Sequence, residues 1–179
     1  MIILTSFFVW FRQDIDHLIS LAQSAGGKLL YDFNIQQRFG ARWDATNALT
    51  LMRYLLETRQ ADSVLFELGN EPNYPELTID GKRMADDFAI LRRVMNTLPG
   101  FGDTKLVGAD FHHMRMLDAG SFSKTRLVGP DIGMADVPFL VKIVQDFAKY
   151  AAKTVDAITL HHYYFRGPGS KLEQFLDLR

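Results

Sequence analysis

The sequence predicts an α/β fold built on a parallel sheet, and three observations carry that prediction. Short apolar runs alternate along the chain with segments whose apolar residues recur at helical spacing. Strand and helix succeed one another without break, as a parallel sheet requires, because parallel neighbours need crossover connections and are buried on both faces. Polar residues gather where the strands end: Asn34 after the first, Asn70-Glu71 after the second, Asp110 or Asp131 after the third, and His161-His162-Tyr163-Tyr164 after the last. The third observation bears on which architecture applies. A nucleotide-binding doubly wound sheet would carry a Gly-rich turn between a strand and a helix, and neither GxGxxG nor a Walker A run is present. Functional groups at the carboxyl ends of successive strands are what the active face of a (β/α)8 barrel presents, so part of such a barrel is expected.

The elements follow in order. "DIDHLISLAQSAGG" places Ile15, Leu18, Ile19 and Ala22 on one helical face and stops at Gly26-Gly27, ahead of the strand "KLLYDFN". "WDATNALTLMRYLLETRQ" repeats the pattern with Leu49, Met52, Leu55 and Leu56, then gives way to "SVLFELG". "RMADDFAILRRVMNTL" aligns Phe88, Leu91, Val94, Met95 and Leu98, and "TKLVGAD" follows. "VPFLVKIVQDFAKYAAKT" aligns Phe139, Ile143, Val144, Phe147 and Ala151 behind Asp136 as N-cap, and "VDAITLHHYY" follows.

Composition bounds the function. The 179 residues are 47% hydrophobic and 23% charged with a formal net charge of −1. Such a chain can bury a core, and it has no global basic field to recruit nucleic acid. Zero cysteines exclude disulfides and thiolate metal sites. The opening "MIILTSFFVWF" is apolar but short of the roughly twenty residues that span a bilayer. It lacks a basic leader and a small-residue cleavage site, so neither a transmembrane segment nor a convincing signal peptide is expected there.

The stretch "LGNEPNYP" sets an Asn-Glu-Pro at the lip of a buried strand. A carboxyl half removed from water there has its charged form disfavoured, so it holds a proton near neutral pH and can act as a general acid. Asn70, one residue earlier, can hydrogen-bond a substrate hydroxyl. Pro72 lacks an N–H and ends the strand pairing. By strand alternation Glu67 shares a face with Gly69, which would place it inside the barrel in a structural role. The same alternation turns His161 and His162 to opposite faces, so the pair is a poor metal chelate and no metal is expected.

"FELGNEPNYP", "GKRMADDFAILRRVM", "RLVGPDIG" and "DAITLHHYY", in that order, closely resemble the heparanases, endo-β-glucuronidases of glycoside hydrolase family 79. The resemblance runs from about Ala25 almost to the end of the sequence. It implies a retaining glycosidase with Glu71 as acid/base and Asn70 as its companion. It also implies sugar contacts from His161 and Tyr163, an equivalent for Asn34 at the close of the third barrel strand, heparan sulfate or a heparin-like polysaccharide as partner, no cofactor, and residence in the lysosome or outside the cell. On this reading residues 1–179 form a single incomplete (β/α)8 domain holding about strands three to six, with the missing barrel half as a possible partner.

Two features qualify that reading. Retention needs a second carboxylate about 5–5.5 Å from the first. The family's Gly-Glu nucleophile segment does not occur in these 179 residues, and Glu76, Glu173 and Asp177 are poor substitutes, so the polypeptide alone is expected not to cleave. "TKLVGAD" at 104–110 and "TRLVGPD" at 125–131 are near copies, of which one is expected to fill the fifth-strand slot. The family carries a basic residue shortly after this strand; Arg115 matches it after the first copy, whereas Asp136 stands there after the second, which itself closes at Asp131. Two other readings stand beside the glycosidase: a non-catalytic heparan-sulfate binder using Arg38, Arg92, Arg93, Arg115 and Arg166, or an unstable truncated variant.

Overall fold

The computed structural model describes residues 3–4, 12–73, 79–111, 137–159 and 161. In chain order the elements are β1 (Ile3–Leu4), α1 (Arg12–Ser24), β2 (Leu29–Phe33), β3 (Arg38–Phe39), β4 (Arg42–Trp43), α2 (Thr46–Glu57), a 3-10 turn (Ala61–Ser63), β5 (Val64–Leu68), α3 (Gly81–Thr97), β6 (Leu106–Val107) and α4 (Val137–Ala151). The main sheet has the order β1-β2-β5-β6, every pair parallel. Beyond β6, Ala157 bridges Val107 in parallel. Phe111 N–H then donates to Thr159 O at 3.1 Å and His161 N–H to Phe111 O at 2.8 Å, so residues 157–159 and 161 lie alongside 107–111 in the next strand position.

Strand order therefore follows chain order with no reversal. A doubly wound sheet has a switch point where the order reverses, and none occurs among the described residues. The α/β class and the parallel sheet are as the sequence predicts, and the ordering is compatible with part of a barrel.

Helix faces match the predicted periodicity because burial against the sheet selects them. Ile15, Ile19 and Ala22 of α1, Met52 and Leu55 of α2, Phe88, Leu91 and Met95 of α3, and Ile143, Phe147 and Ala151 of α4 are all buried. They enclose Leu29 and Phe33 of β2 and Val64, Phe66 and Leu68 of β5 in one core. Its aromatic rings stack through Phe33, Phe66 and Phe101, with centroids 5.4 and 5.6 Å apart. The intervening strand residues, Asp32 and Glu67, are register partners on the opposite face of the sheet. Acids thus line the side away from the helices.

α3 begins behind Asp80, whose carboxylate accepts from Arg83 N at 2.8 Å. Its first residue, Gly81, lies against α4 so closely that a Cβ would sit 2.1 Å from Ile143 O and 2.7 Å from Phe147 N. Backbone cannot yield as a side chain can. Gly81→Ala is accordingly expected to force the two helices apart and cost about 1–3 kcal/mol or more, read as a lower urea midpoint at unchanged slope.

Three short strands are additional to the predicted set. β1 pairs Ile3 with Leu30 and Leu4 with Tyr31, so the apolar opening contributes a short strand. β3 and β4 form an antiparallel hairpin between β2 and α2. The hairpin is held by buried polar contacts: Arg38 Nη1 and Nη2 bind Asp87 of α3 at 2.7 and 3.1 Å, and Trp43 N–H donates to the same carboxylate at 3.2 Å. Trp43 Nε1 donates to Asn34 O at 2.9 Å. The expected N-cap Asp136 and the second near copy at 125–131 lie outside the described residues. The first copy supplies β6, flanked by β5 on one side and by the segment beginning at Ala157 on the other. Among the described residues no helix is long and apolar enough to cross a membrane.

Candidate active site

β5 delivers Gly69-Asn70-Glu71 to the carboxyl edge of the sheet, and the local backbone is tightly specified. Gly69 has φ +90°, and a Cβ there would fall 2.9 Å from the Ile35 side chain, so only glycine fits both the conformation and the space. Its N–H donates to Phe33 O at 2.9 Å and to Asp32 Oδ1 at 2.6 Å. Glu71 and Asp110 follow with φ +48° and +27°, both in the left-handed region that non-glycine residues rarely adopt. Backbone strain of this kind clusters at functional sites, where surrounding contacts over-determine it. Here those contacts are visible: Glu71 N–H donates to Asp110 O at 2.9 Å, and Asp110 N–H donates to Thr159 Oγ1 at 2.7 Å.

The side chains converge on His161. Its Nδ1 lies 2.6 Å from Glu71 Oε1 and its Nε2 lies 2.8 Å from Asp110 Oδ2. Glu71 and His161 side chains are each 23% exposed, whereas that of Asp110 is 5% exposed, so the imidazole bridges a water-facing carboxylate and a buried one. Burial works to lower the His161 pKa, but the hydrogen bond that the ring donates to Glu71 and the charges of Asp110 and Glu71 outweigh it and raise the pKa above the usual value. Burial raises the Asp110 carboxyl, against the opposing pull of His161.

Behind this trio lie Glu67 and Asp32. Burial pushes Glu67 up to about 7, opposed by the hydroxyl of Thr159, which donates to its Oε1. Burial and then the neighbouring Glu67 push Asp32 up to about 8. Asp32 Oδ2 and Glu67 Oε2 are buried with no hydrogen-bond partner among the described residues, as suits carboxyls that carry a proton. Among the described residues no group of three or more His, Asp and Glu side chains has an arrangement that would hold a metal ion.

Of the residues singled out from sequence, Glu71 and His161 are in direct contact. Asn70 is half-buried beside Glu71, at the same sheet edge. Asn34 closes β2 next to Gly69, and its Oδ1 accepts from Gln36 N at 2.8 Å, which shapes the turn into the hairpin. Tyr163, Asp131 and Arg115 lie outside the described residues. Asp110, one of the two strand-end aspartates, is at the site, and Glu67 and Asp32 join it beneath. Asp32 is the residue sequence reasoning passed over; a lone acid inside the apolar run "KLLYDFN" is the signal that could have found it. Of the arginines considered for polysaccharide contact, Arg38 and Arg92 have intramolecular partners. Arg38 is committed to Asp87, and Arg92 binds Asp156 at 2.7 Å, Thr154 O at 3.0 Å and Thr104 O at 3.1 Å.

Comparison with known proteins gives a consistent set of relatives. The chain is 29% identical over 175 residues to hyaluronoglucuronidase of Hirudo nipponia, covering 93% of this chain and 31% of that protein. It is 29% identical over 171 residues to heparanase of Mus musculus, covering 93% and 27%. It is also 26% identical over 172 residues to inactive heparanase-2 of Homo sapiens, covering 93% and 25%. The chain thus matches these relatives over almost its whole length while spanning between a quarter and a third of theirs. No protein-family model matches it.

Proposed function

We propose that the chain is the portion of a retaining endo-β-glucuronidase that holds about strands three to six of a (β/α)8 barrel, with Glu71 as general acid/base. The observation that carries this reading is the Glu71 carboxylate, held at a sheet edge in a strained backbone and hydrogen-bonded to His161. A group that must give a proton to a leaving oxygen and later take one from water needs a fixed direction and a proton-exchanging neighbour, and it has both here. Asn70 would orient a sugar hydroxyl beside the scissile bond, with Asn34, His161 and Tyr163 around the ring, and Arg115 and Asp131 as contacts beyond it.

Heparan sulfate is the proposed substrate, and hyaluronoglucuronidase among the relatives keeps the linkage class wider than one polymer. Residues 1–179 are read as one incomplete catalytic domain, with the remaining barrel half as partner and a lysosomal or extracellular setting. Asp110 and Glu71 meet opposite nitrogens of the His161 ring, and Glu67 accepts from Thr159, an arrangement that supports reading neither Asp110 nor Glu67 as the second carboxylate of a retaining pair. The 179-residue polypeptide is therefore expected to bind a heparan sulfate oligosaccharide without cleaving it.

The test is a titration of the ¹⁵N-labelled chain with such an oligosaccharide, beside a reducing-end assay. Saturable shifts at the Asn70, Glu71 and His161 amides with no product formation are expected. Product above a Glu71→Gln background would refute the inactivity. Shifts confined to exposed basic residues such as Arg93 would favour a non-catalytic binder, a reading that the inactive heparanase-2 relative keeps specific.

A further inference from the structure

Three contacts close a triangle at the sheet edge. Glu71 N–H binds Asp110 O at 2.9 Å, Asp110 Oδ2 meets His161 Nε2 at 2.8 Å, and His161 Nδ1 meets Glu71 Oε1 at 2.6 Å. Each vertex comes from a different place in the sheet: the turn after β5, the segment after β6, and the strand position beyond it. Each is also anchored independently, through Gly69 and Asp32, through Thr159, and through Phe111 O. A rigid imidazole between a buried and a water-facing carboxylate can do more than touch a sugar.

We infer that Asp110 and His161 form the device that supplies Glu71 with its proton, Asp110 fixing the imidazole and His161 passing the proton from Nδ1 to Glu71 Oε1. In the starting arrangement both ring nitrogens carry protons and both carboxylates are ionised. The transfer breaks the Nδ1–H bond and forms an O–H bond on Glu71. It leaves a neutral imidazole whose Nε2–H still donates to Asp110, and the net charge of the trio is unchanged. Asp110 is a positioning residue in this scheme, since it acts through the ring. Asp110 is the less exposed of the two carboxyl groups, so water competes less for its hydrogen bond to the ring; the ring keeps Nε2–H and Nδ1 is the nitrogen that exchanges. Among the described residues the other ionisable groups acting on the trio are Glu67 of β5, which interacts with both Asp110 and His161, and Asp32 of β2, which interacts with Glu67 and Asp110.

This inference rests on the reading of Glu71 as acid/base, and its test is kept separate from activity. Long-range ¹H–¹⁵N correlation of histidine rings in the ¹⁵N-labelled 179-residue chain, from pH 4 to 9, reports the protonation and tautomer of His161. The expected result is a doubly protonated ring persisting above the usual histidine midpoint of about 6.5, giving way to the Nε2–H tautomer. Asp110→Asn and Glu71→Gln should each lower the midpoint by about one pH unit or more, as loss of an adjacent opposite charge does. A wild-type His161 that titrates at the usual value, or whose neutral form is Nδ1–H, would overturn the inference without recourse to any variant that fails to fold. Coupled titration in a chain that binds no glucuronide polymer would overturn the glucuronidase reading and keep the triangle. Uncoupled titration with intact binding would do the reverse.

Discussion

Unfolding free energy is expected to fall by several kcal/mol as pH rises from 5 to 8.5. Asp32 and Glu67 have folded-state values of about 8 and about 7, against unfolded values near 4, and Asp110 and His161 are also raised. Between those limits the folded chain binds more protons than the unfolded one, so the slope of stability with pH is negative. Their contribution is complete below the unfolded values and is lost as pH climbs through the folded ones. Asp156 has the opposite sign: burial opposes it, but Lys105, Leu106 N–H and Arg92 hold it down at about 2, so its contribution is lost only in strong acid. The melting temperature should therefore peak in mildly acidic buffer. Asp32→Asn keeps an oxygen to accept from Gly69 N–H and removes the titration, so it should raise the melting temperature at pH 8.5 and flatten the profile. A wild-type profile that is level or rises from pH 5 to 8.5 would refute the account. Such a profile suits an acidic compartment, in line with the proposed lysosomal setting.

Removing Asp87 should be the most damaging single change at the hairpin. Its carboxylate is 3% exposed and receives both Arg38 nitrogens and Trp43 N–H, while Arg38 is itself only 15% exposed. Asp87→Ala leaves a largely buried guanidinium without its counter-charge, which costs about 3–5 kcal/mol. A urea titration should show the loss as a lower midpoint. The double variant Arg38→Met with Asp87→Ala should recover much of it, because the penalty lies in the uncompensated charge. If the single variant loses under 1 kcal/mol, the contact is not holding the hairpin.

The helices and the five-residue strands were legible in sequence because burial on one face writes a period into it. Met52 and Leu55, or Phe88, Leu91 and Met95, announce their faces wherever the chain is read. β3 and β4 were not legible, since two-residue strands carry no period and this hairpin is specified by Asp87, which lies 44 residues beyond Trp43. The candidate site divides the same way. Glu71 and His161 sit in motifs whose chemistry can be read locally. The contact between them, 90 residues apart in sequence, exists only once β6 has been inserted between their strands. Asp32 was hidden for a further reason: an acid in an apolar strand looks like an interruption until its register partner Glu67 is known.

The sheet order has a consequence for the sequence of events in which the site is assembled and lost. β5 is paired on both sides, with five register pairs to β2 and two to β6, whereas His161 belongs to the segment outside β6, the outermost position among the described residues. Local opening free energies are greatest at such a centre and smallest toward an edge. Amide exchange should then form a gradient across the site, slow at Glu67 and fast at His161. Glu71 would spend brief intervals without its imidazole while its own strand remains fully formed.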